Sequence, residues 1–587
     1  MKKQKRPLPD SRFVSPVAAA EPTRRRTATA GFAWKWWHGA LLLGALLLLM
    51  YEVYAPALRG PMVFDDGYLV PGFTARSLPE MLRGLRPATY ASLYFNYRAS
   101  GLESTFPYHL LNLLFHTAAG LVVFFLIRRL LLLAGSKPDA VWLTAAFAAG
   151  LFLLHPLQTE GVAYITSRSE VLSVFFAYAA IAVFLGQQPE GISGARALAV
   201  LFLFGLACLS KEHAAALPAA IVVANYYWFP GFSFSGLKRN WRLYAPMALG
   251  AVAGGIFVLK VLLAADTAGF GMKDLPWHHY FWTQCRAIWS YLRLFLLPLG
   301  QSVDHDFAIS RGPFDHLAIA GLAALLALAA AAWVYRRRFP LASFGVLLFL
   351  ILIAPTSSFV PIRDLLVERR FYLPSIGAIL VVVEFVRRWN ASRVARIAAF
   401  GGILATLAVM SYSRNAVWAS ELALWKDALD VYPAKARPNE QYGFALYQLG
   451  RCQESLPYFQ KATQLSPQVV QAWVNRANAE DCAGQTEQAV GSTLQAVPLD
   501  KTGNALAALA MFYGKLGRNQ EAMAAAEKAI ALDPGHDMAF LYRGNLHRLN
   551  GDLAKAAADY RQALALNPQN EVARQSLNAV ESDANRR

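Results

Sequence analysis

The sequence predicts an all-α protein in two parts, a polytopic membrane module followed by an α-solenoid of helical repeats. Three observations carry this. Of 587 residues, 56% are hydrophobic and 16% charged, with mean hydropathy +0.31, a balance that is hard to accommodate in one soluble domain. Apolar runs long enough to cross a bilayer recur up to about residue 413. Beyond residue 414 they stop, and a period of 34 residues begins.

The apolar runs lie near 38–57, 109–127, 139–155, 170–186, 194–209, 213–229, 243–264, 316–335, 341–360, 371–386 and 396–413, about eleven spans, several of marginal length. The formal charge is +18, but the basic residues cluster in short segments beside these runs. That pattern fits the positive-inside bias of membrane proteins, so the bilayer is the expected partner and nucleic acid is not. Residues 1–37 hold nine Lys or Arg against two acids and read as a cytoplasmic segment with Trp34, Trp36 and Trp37 at the interface. A cleaved signal peptide is the competing reading of such a start, and the many later spans weigh against it.

Alternation from that start places Arg128 and Arg129, Lys238 to Arg242, Arg336 to Arg338, and Arg387, Arg388, Arg393 and Arg396 on the same inner side. The agreement requires that residues 281–300, which carry Arg286 and Arg293, form an interfacial or re-entrant helix. An arginine at the membrane centre is unfavourable by at least ~2.5 kcal/mol. The loops 58–108, 155–169, 209–213, 265–315 and 361–370, and everything after 414, then face outward. Ala, Leu and Arg usage and short loops point to a bacterial inner membrane with periplasmic repeats; the alternative is an endoplasmic reticulum membrane with luminal repeats.

In the C-terminal part, Pro433, Pro467, Lys501, Pro534 and Pro568 are separated by 34, 34, 33 and 34 residues, and Gly450, Gly484, Gly517 and Gly551 by 34, 33 and 34. This is the tetratricopeptide period. Gly443, Ala477, Ala510 and Gly544 keep the same spacing, where the two helices of a repeat approach closely. Lys501 is the one departure, standing where the period expects Pro. Stacked helix pairs leave a concave face for an extended peptide or another protein, so a protein partner is expected, with a purely structural buttress as the alternative. Cys208 and Cys285 read as small apolar residues in membrane-associated segments. Cys452 and Cys482 fall at ends of neighbouring repeat helices that an antiparallel stack brings together, which allows a disulfide if the array lies outside and the α-carbons come within about 7 Å.

Ionisable residues collect in the outward loops: HPLQTEGVAYITSRSE (155–170), SKEH (210–213) and SSFVPIRDLLVERRFYLPS (357–375). Singly, His155 reads as a helix end, Lys211–Glu212 as a local ion pair and Arg369 as a snorkelling anchor. Together they share a face with Asp65, Asp66, Arg86, His109 and His116, and ionisable groups at membrane depth usually line a site. The adjacent acids of PMVFDDGYLV (61–70) read either as a catalytic carboxylate or as a solvated loop opened by an Asx turn. Cations suit a phosphate, and a carboxylate suits removal of a hydroxyl proton during attack.

The strings FDDGYLV, LRPATYASLYFNYRASGLESTFPYHLLNLLFH, HPLQTEGVAYITSRSEVL, LSKEHAAALPAAIVVAN and SFVPIRDLLVERRFYLPSIG, with the appended repeats, resemble the transmembrane and tetratricopeptide-repeat family of glycosyltransferases. That family is similar in fold to the protein O-mannosyltransferases and other GT-C enzymes, and the likeness runs with gaps from about residue 60. The resemblance implies an inverting transferase that takes sugar from a polyprenyl- or dolichyl-phosphate carrier. It implies Asp65 as general base, with Asp66 orienting it or contacting the sugar; the reverse assignment stays open. Arg86, His109, His155, Glu160 and Arg168 match further family positions that line the donor or acceptor site. Lys211 with Glu212, and Glu368 with Arg369 and Tyr372, would hold the lipid phosphate. Gln158 departs from the family pattern, where His or Val is frequent. Asp65, Asp66 and a water would suit Mg2+ or Mn2+, yet some relatives in the fold class need none, and no metal is the expectation.

The resulting architecture is a basic segment 1–37, a GT-C-like module 38–414 with first outer loop 58–108, and a repeat domain 415–587. Its expected activity is sugar transfer from a polyprenyl-phosphate donor to a Ser or Thr hydroxyl of a protein recruited by the repeats. The alternative is a non-enzymatic, membrane-anchored repeat scaffold for envelope or secretion assembly, for which one or two spans would suffice.

Overall fold

The computed structural model describes residues 36–69, 77–187, 190–264 and 269–586. The basic leader, Trp34 included, lies outside them. The chain divides into two units, residues 1–48 and 49–587, and the described residues are helical with no β-strand among them. Each of the eleven apolar stretches coincides with a helix, from Trp36–Tyr54 to Arg393–Val417.

The helices are shorter than the expected spans where polar segments interrupt them. Five are long and apolar enough to cross a membrane: Trp37–Tyr54, Phe106–Leu133, Ile165–Leu185, Asp315–Val334 and Arg393–Val417. A sixth is reached if Ala140–Leu154 and Pro156–Ala163, bent by 52°, form one span. The bend falls at His155-Pro156, where proline removes a helical donor and His155 leaves the helical conformation. Lys211 is likewise extended between Gly194–Ser210 and the turn Glu212–Ala216. A turn at Glu368–Phe371 precedes Ser375–Arg388. Each interruption sits where the sequence carries its unusual charges.

Residues 277–296 form an amphipathic helix that buries Tyr280, Gln284, Ile288 and Tyr291 at helical spacing. Its arginines turn to neighbouring backbone: Arg286 donates to Ala308 O at 3.0 Å and Arg293 to Leu299 O at 3.0 Å.

The helices Pro340–Ile353 and Ser375–Arg388 meet backbone to backbone at Gly345 and Gly377. A Cβ at either residue would stand 2.5 Å from the carbonyl oxygen of the other. Small residues allow this approach, which apolar side chains alone could not drive in lipid.

The C-terminal array opens with a single helix, Glu421–Val431. Four pairs then stack: Ala436–Gln448 with Cys452–Leu465, Val470–Cys482 with Thr486–Ala496, Asn504–Lys515 with Asn519–Leu532, and Asp537–Leu549 with Leu553–Leu566. Gly450, Gly484, Gly517 and Gly551 occupy the turn inside each pair at φ between 72° and 81°. Glycine meets that left-handed requirement without a Cβ penalty, which accounts for its repetition. At the irregular turn, the Asp500 carboxylate accepts from the amides of Thr502 and Ala505 at 2.8 and 2.7 Å, so an Asx turn does locally what proline does in the other repeats. Cys452 and Cys482 are joined by a disulfide with α-carbons 5.8 Å apart.

Charged pairs join the array to the rest of the chain. Arg414 pairs with Asp427 at 2.6 Å, and Lys435 with Asp304 at 2.8 Å. His305 bridges Glu368 at 3.0 Å and the Tyr432 hydroxyl at 3.0 Å.

Gly377→Ala is expected to force the paired helices apart and destabilise the module by ~1–3 kcal/mol, the range of overpacking in a filled core. The unfolding temperature of the detergent-solubilised protein should fall accordingly, while Gly402→Ala, where a Cβ meets open space, leaves it unchanged.

Candidate functional site

The two adjacent acids part company. Residues Phe64–Tyr68 form a single 3-10 turn after Val63, and a turn of that pitch sends neighbouring side chains in different directions. Asp66 points inward and is fully buried. Its Oδ1 accepts from the Thr166 amide at 2.8 Å and its Oδ2 from the Val63 amide at 3.3 Å, so the carboxylate ties the turn at 63–68 to the 155–169 segment. Asp65 is exposed, and its backbone amide donates to the Tyr164 hydroxyl at 3.0 Å. Burial and two backbone donors thus hold Asp66 to the loop in this structure. Nor do the two acids make a joint oxygen site, and among the described residues no group of three or more His, Cys, Asp or Glu is placed to hold a metal ion.

The loop breaks described above bring three cations and three carboxylates together. Arg86, at a left-handed N-cap before Pro87, grips Glu212 with two hydrogen bonds of 2.9 and 2.5 Å. Lys211 is paired with Glu170, which His213 also approaches at 3.4 Å. Arg369 is paired with Glu160, whose other oxygen accepts from the Arg369 amide at 3.0 Å. The Arg369 guanidinium lies 5.3 Å from the Tyr164 ring centroid. Lys211 feels the fields of Glu170, Arg86, Arg369 and Glu212, which places the three pairs in one electrostatic cluster. Tyr164 joins that cluster to the Asp65 turn.

Burial dominates the electrostatics. It lowers the Lys211 pKa, and the nearby Arg86 and Arg369 add to the shift against the pull of Glu170. For Glu212, burial raises the carboxyl, but the doubly bonded Arg86 more than offsets it and holds the group at about 2. Arg86 and Arg369 remain partly open, with side chains 35% and 26% exposed, so an anion arriving from the surface can reach them.

Other residues expected to line the site are hydrogen-bonded to partners outside the cluster. Arg168 is fully buried and donates to Asn112, to Asn96 at 3.0 Å and to Tyr108 O at 2.8 Å, securing the start of the Phe106–Leu133 helix. His109 is bonded to Gly60 O at 3.2 Å, and His155 to Phe295 O at 2.9 Å. Tyr372 is buried with its hydroxyl 2.6 Å from His116 Nδ1. Glu368 accepts from Gln301 at 2.6 Å, the Ser302 amide at 2.8 Å and His305, so it ties the segment 301–305 to the turn Glu368–Phe371. Glu160 enters the cluster as the partner of Arg369.

Two residues of the cluster are absent from the expected set. Glu170 closes the string HPLQTEGVAYITSRSE, and its position one residue after Ser169 at a helix start was the available signal. Tyr164 gives no sequence signal in a chain with 24 tyrosines.

Asp66 sets a pH dependence. Burial raises its pKa from 3.8 to about 7 against four opposing hydrogen bonds. A carboxyl whose pKa rises on folding contributes stability fully below about pH 4, and loses it as pH climbs through about 7. Amide protection at Thr166 and over residues 63–68, with the intrinsic base-catalysed rate divided out, is therefore expected to fall between pH 4 and 7 and to level off above, by exchange mass spectrometry of the intact protein. Flat protection across that window would contradict the burial of this carboxyl.

The tetratricopeptide-repeat family model matches residues 443–504 and 508–571. Over most of its length the chain is similar to proteins named protein O-mannosyl-transferase. TMTC3 of Mus musculus is 26% identical over 83% of this chain and 54% of that protein. F38B6.6 of Caenorhabditis elegans is 25% identical over 72% of this chain and 62% of that protein. TMTC3 of Homo sapiens is 24% identical over 83% of this chain and 54% of that protein. The chain thus spans a little over half the length of these relatives. With an apolar helical module and a tetratricopeptide array, the chain is similar over both parts to the TMTC proteins.

Proposed function

We propose that the protein is a GT-C glycosyltransferase that moves a sugar from a polyprenyl-phosphate carrier to a Ser or Thr hydroxyl of a protein. The observation that carries this is the exposed Asp65 carboxylate on a pinned turn, linked through Tyr164 to the Arg369, Lys211 and Arg86 cluster. The names of the relatives support protein O-mannosylation and make mannose the first donor to test.

Asp65 takes the proton of the acceptor hydroxyl as its oxygen attacks the anomeric carbon. The bond from that carbon to the phosphate oxygen breaks, and the polyprenyl phosphate leaves with the bonding electrons. Its growing charge is met by Arg369, Lys211 and Arg86, already oriented by their carboxylates so that little reorganisation is needed during transfer. Asp66 takes no part in bond making and keeps the turn in place. No metal is assigned a step.

The tetratricopeptide array recruits the acceptor protein. The reaction face and the array lie outside, in the periplasm of a bacterial inner membrane or in the lumen of the endoplasmic reticulum. The Cys452–Cys482 disulfide supports an oxidising compartment.

In membranes supplied with polyprenyl-phosphate mannose, Asp65→Asn should lower transfer by about 10²–10⁴-fold, the usual contribution of a general base, with donor binding kept. Lys211→Gln should instead raise the donor KM about tenfold, since it removes a phosphate contact. Full transfer by Asp65→Asn would overturn the reading. Intact-mass comparison of proteins from a deletion strain would identify which acceptor loses which sugar.

A further inference from the structure

Phe64, immediately before Asp65, is held at φ 51°. A non-glycine residue adopts that left-handed conformation only where its surroundings impose it. The imposing contacts come from both halves of the chain. The Phe64 ring sits edge-on to Tyr164 at 5.6 Å and to Trp425 at 5.4 Å between centroids. The Arg437 guanidinium lies 5.8 Å from the Phe64 ring and 5.9 Å from that of Trp425. Arg437 is itself fixed between Asp304 at 3.5 Å and Asp364 at 3.3 Å, both on outer loops. Trp425 lies on the helix Glu421–Val431 and Arg437 on Ala436–Gln448, the first two helices of the C-terminal array.

We propose that these two helices are part of the transfer site, with Trp425 and Arg437 acting as positioning residues that hold Phe64 and thereby aim the Asp65 carboxylate. Asp66 fixes the inner side of the turn through Thr166, and Trp425 with Arg437 fixes its outer side. Asp65 stands between the two anchors. The array then has a role beyond recruiting an acceptor, since the transfer site is incomplete without its first two helices. The proposal rests on Asp65 as the base.

The test uses the full chain in membranes, with radiolabelled polyprenyl-phosphate mannose as donor and endogenous membrane protein as acceptor, alongside deuterium exchange of residues 60–69. Trp425→Ala should lower kcat about tenfold or more at unchanged donor KM, the signature of a misplaced reacting group rather than a lost binding contact. Exchange over 60–69 should rise about tenfold as the clamp opens. Trp425→Phe, which keeps an aromatic ring against Phe64, should restore both. Arg437→Gln, at a side chain 45% exposed and so tolerant of change, should shift both readouts about threefold in the same directions, and decides alone if Trp425→Ala does not fold. The proposal is overturned if neither Trp425→Ala nor Arg437→Gln changes exchange over 60–69, or if exchange rises while kcat stays at the unaltered protein's value. Full transfer by Asp65→Asn would instead remove the base assignment, and the exchange measurement would still report whether the clamp exists.

Discussion

The buried carboxylate of Asp66, accepting from the amides of Thr166 and Val63, is the contact on which the rest of the site depends. An acid stripped of water is costly unless its lone pairs are met, and here backbone donors from two distant segments meet them. Because those donors belong to different loops, satisfying one side chain joins residues 63–68 to residues 155–169. Asp65 gains its direction from that join, and so does Tyr164, whose hydroxyl receives the Asp65 amide and whose ring faces Arg369.

The cation cluster follows a second constraint. A charge near lipid must be paired or must reach water, and this chain does both by breaking helices where the charges occur. The interruptions at His155-Pro156, Lys211 and Glu368 free backbone that would otherwise be helical, and each delivers an ionisable side chain to the same neighbourhood. Every cation there has its own carboxylate: Arg86 with Glu212, Lys211 with Glu170, Arg369 with Glu160. Such a balanced set is tolerated in the resting protein and still presents oriented donors to an incoming anion.

The repeat array is bound to this arrangement by a graded contact. Charged pairs join Arg414, near the end of the helix Arg393–Val417, to Asp427 and Lys435 to Asp304. His305 and Tyr432 extend the contact to Glu368, and the aromatic contact of Trp425 with Phe64 carries it to the residue beside Asp65. Glu368, expected among the phosphate ligands, thus belongs to the seam between the two parts of the chain.

The sequence by itself determined the helical class and the register of the repeats. These depend on local periodicity: apolar runs require helices in lipid, and a left-handed turn every 34 residues selects glycine at Gly450, Gly484, Gly517 and Gly551. It also singled out Arg86, Lys211, Glu212 and Arg369, which the structure brings into one cluster of ion pairs, because charge in apolar surroundings is legible from the sequence. Only tertiary structure decided which acid of the pair faces outward, since adjacent residues of one type are chemically alike until a partner 100 positions away claims one of them. The same holds for Arg168, His109, His155 and Tyr372, whose hydrogen-bond partners on distant backbone and side chains no local pattern shows. Tyr164 and Trp425 are the converse case, ordinary aromatics in the sequence that long-range packing sets against the candidate base.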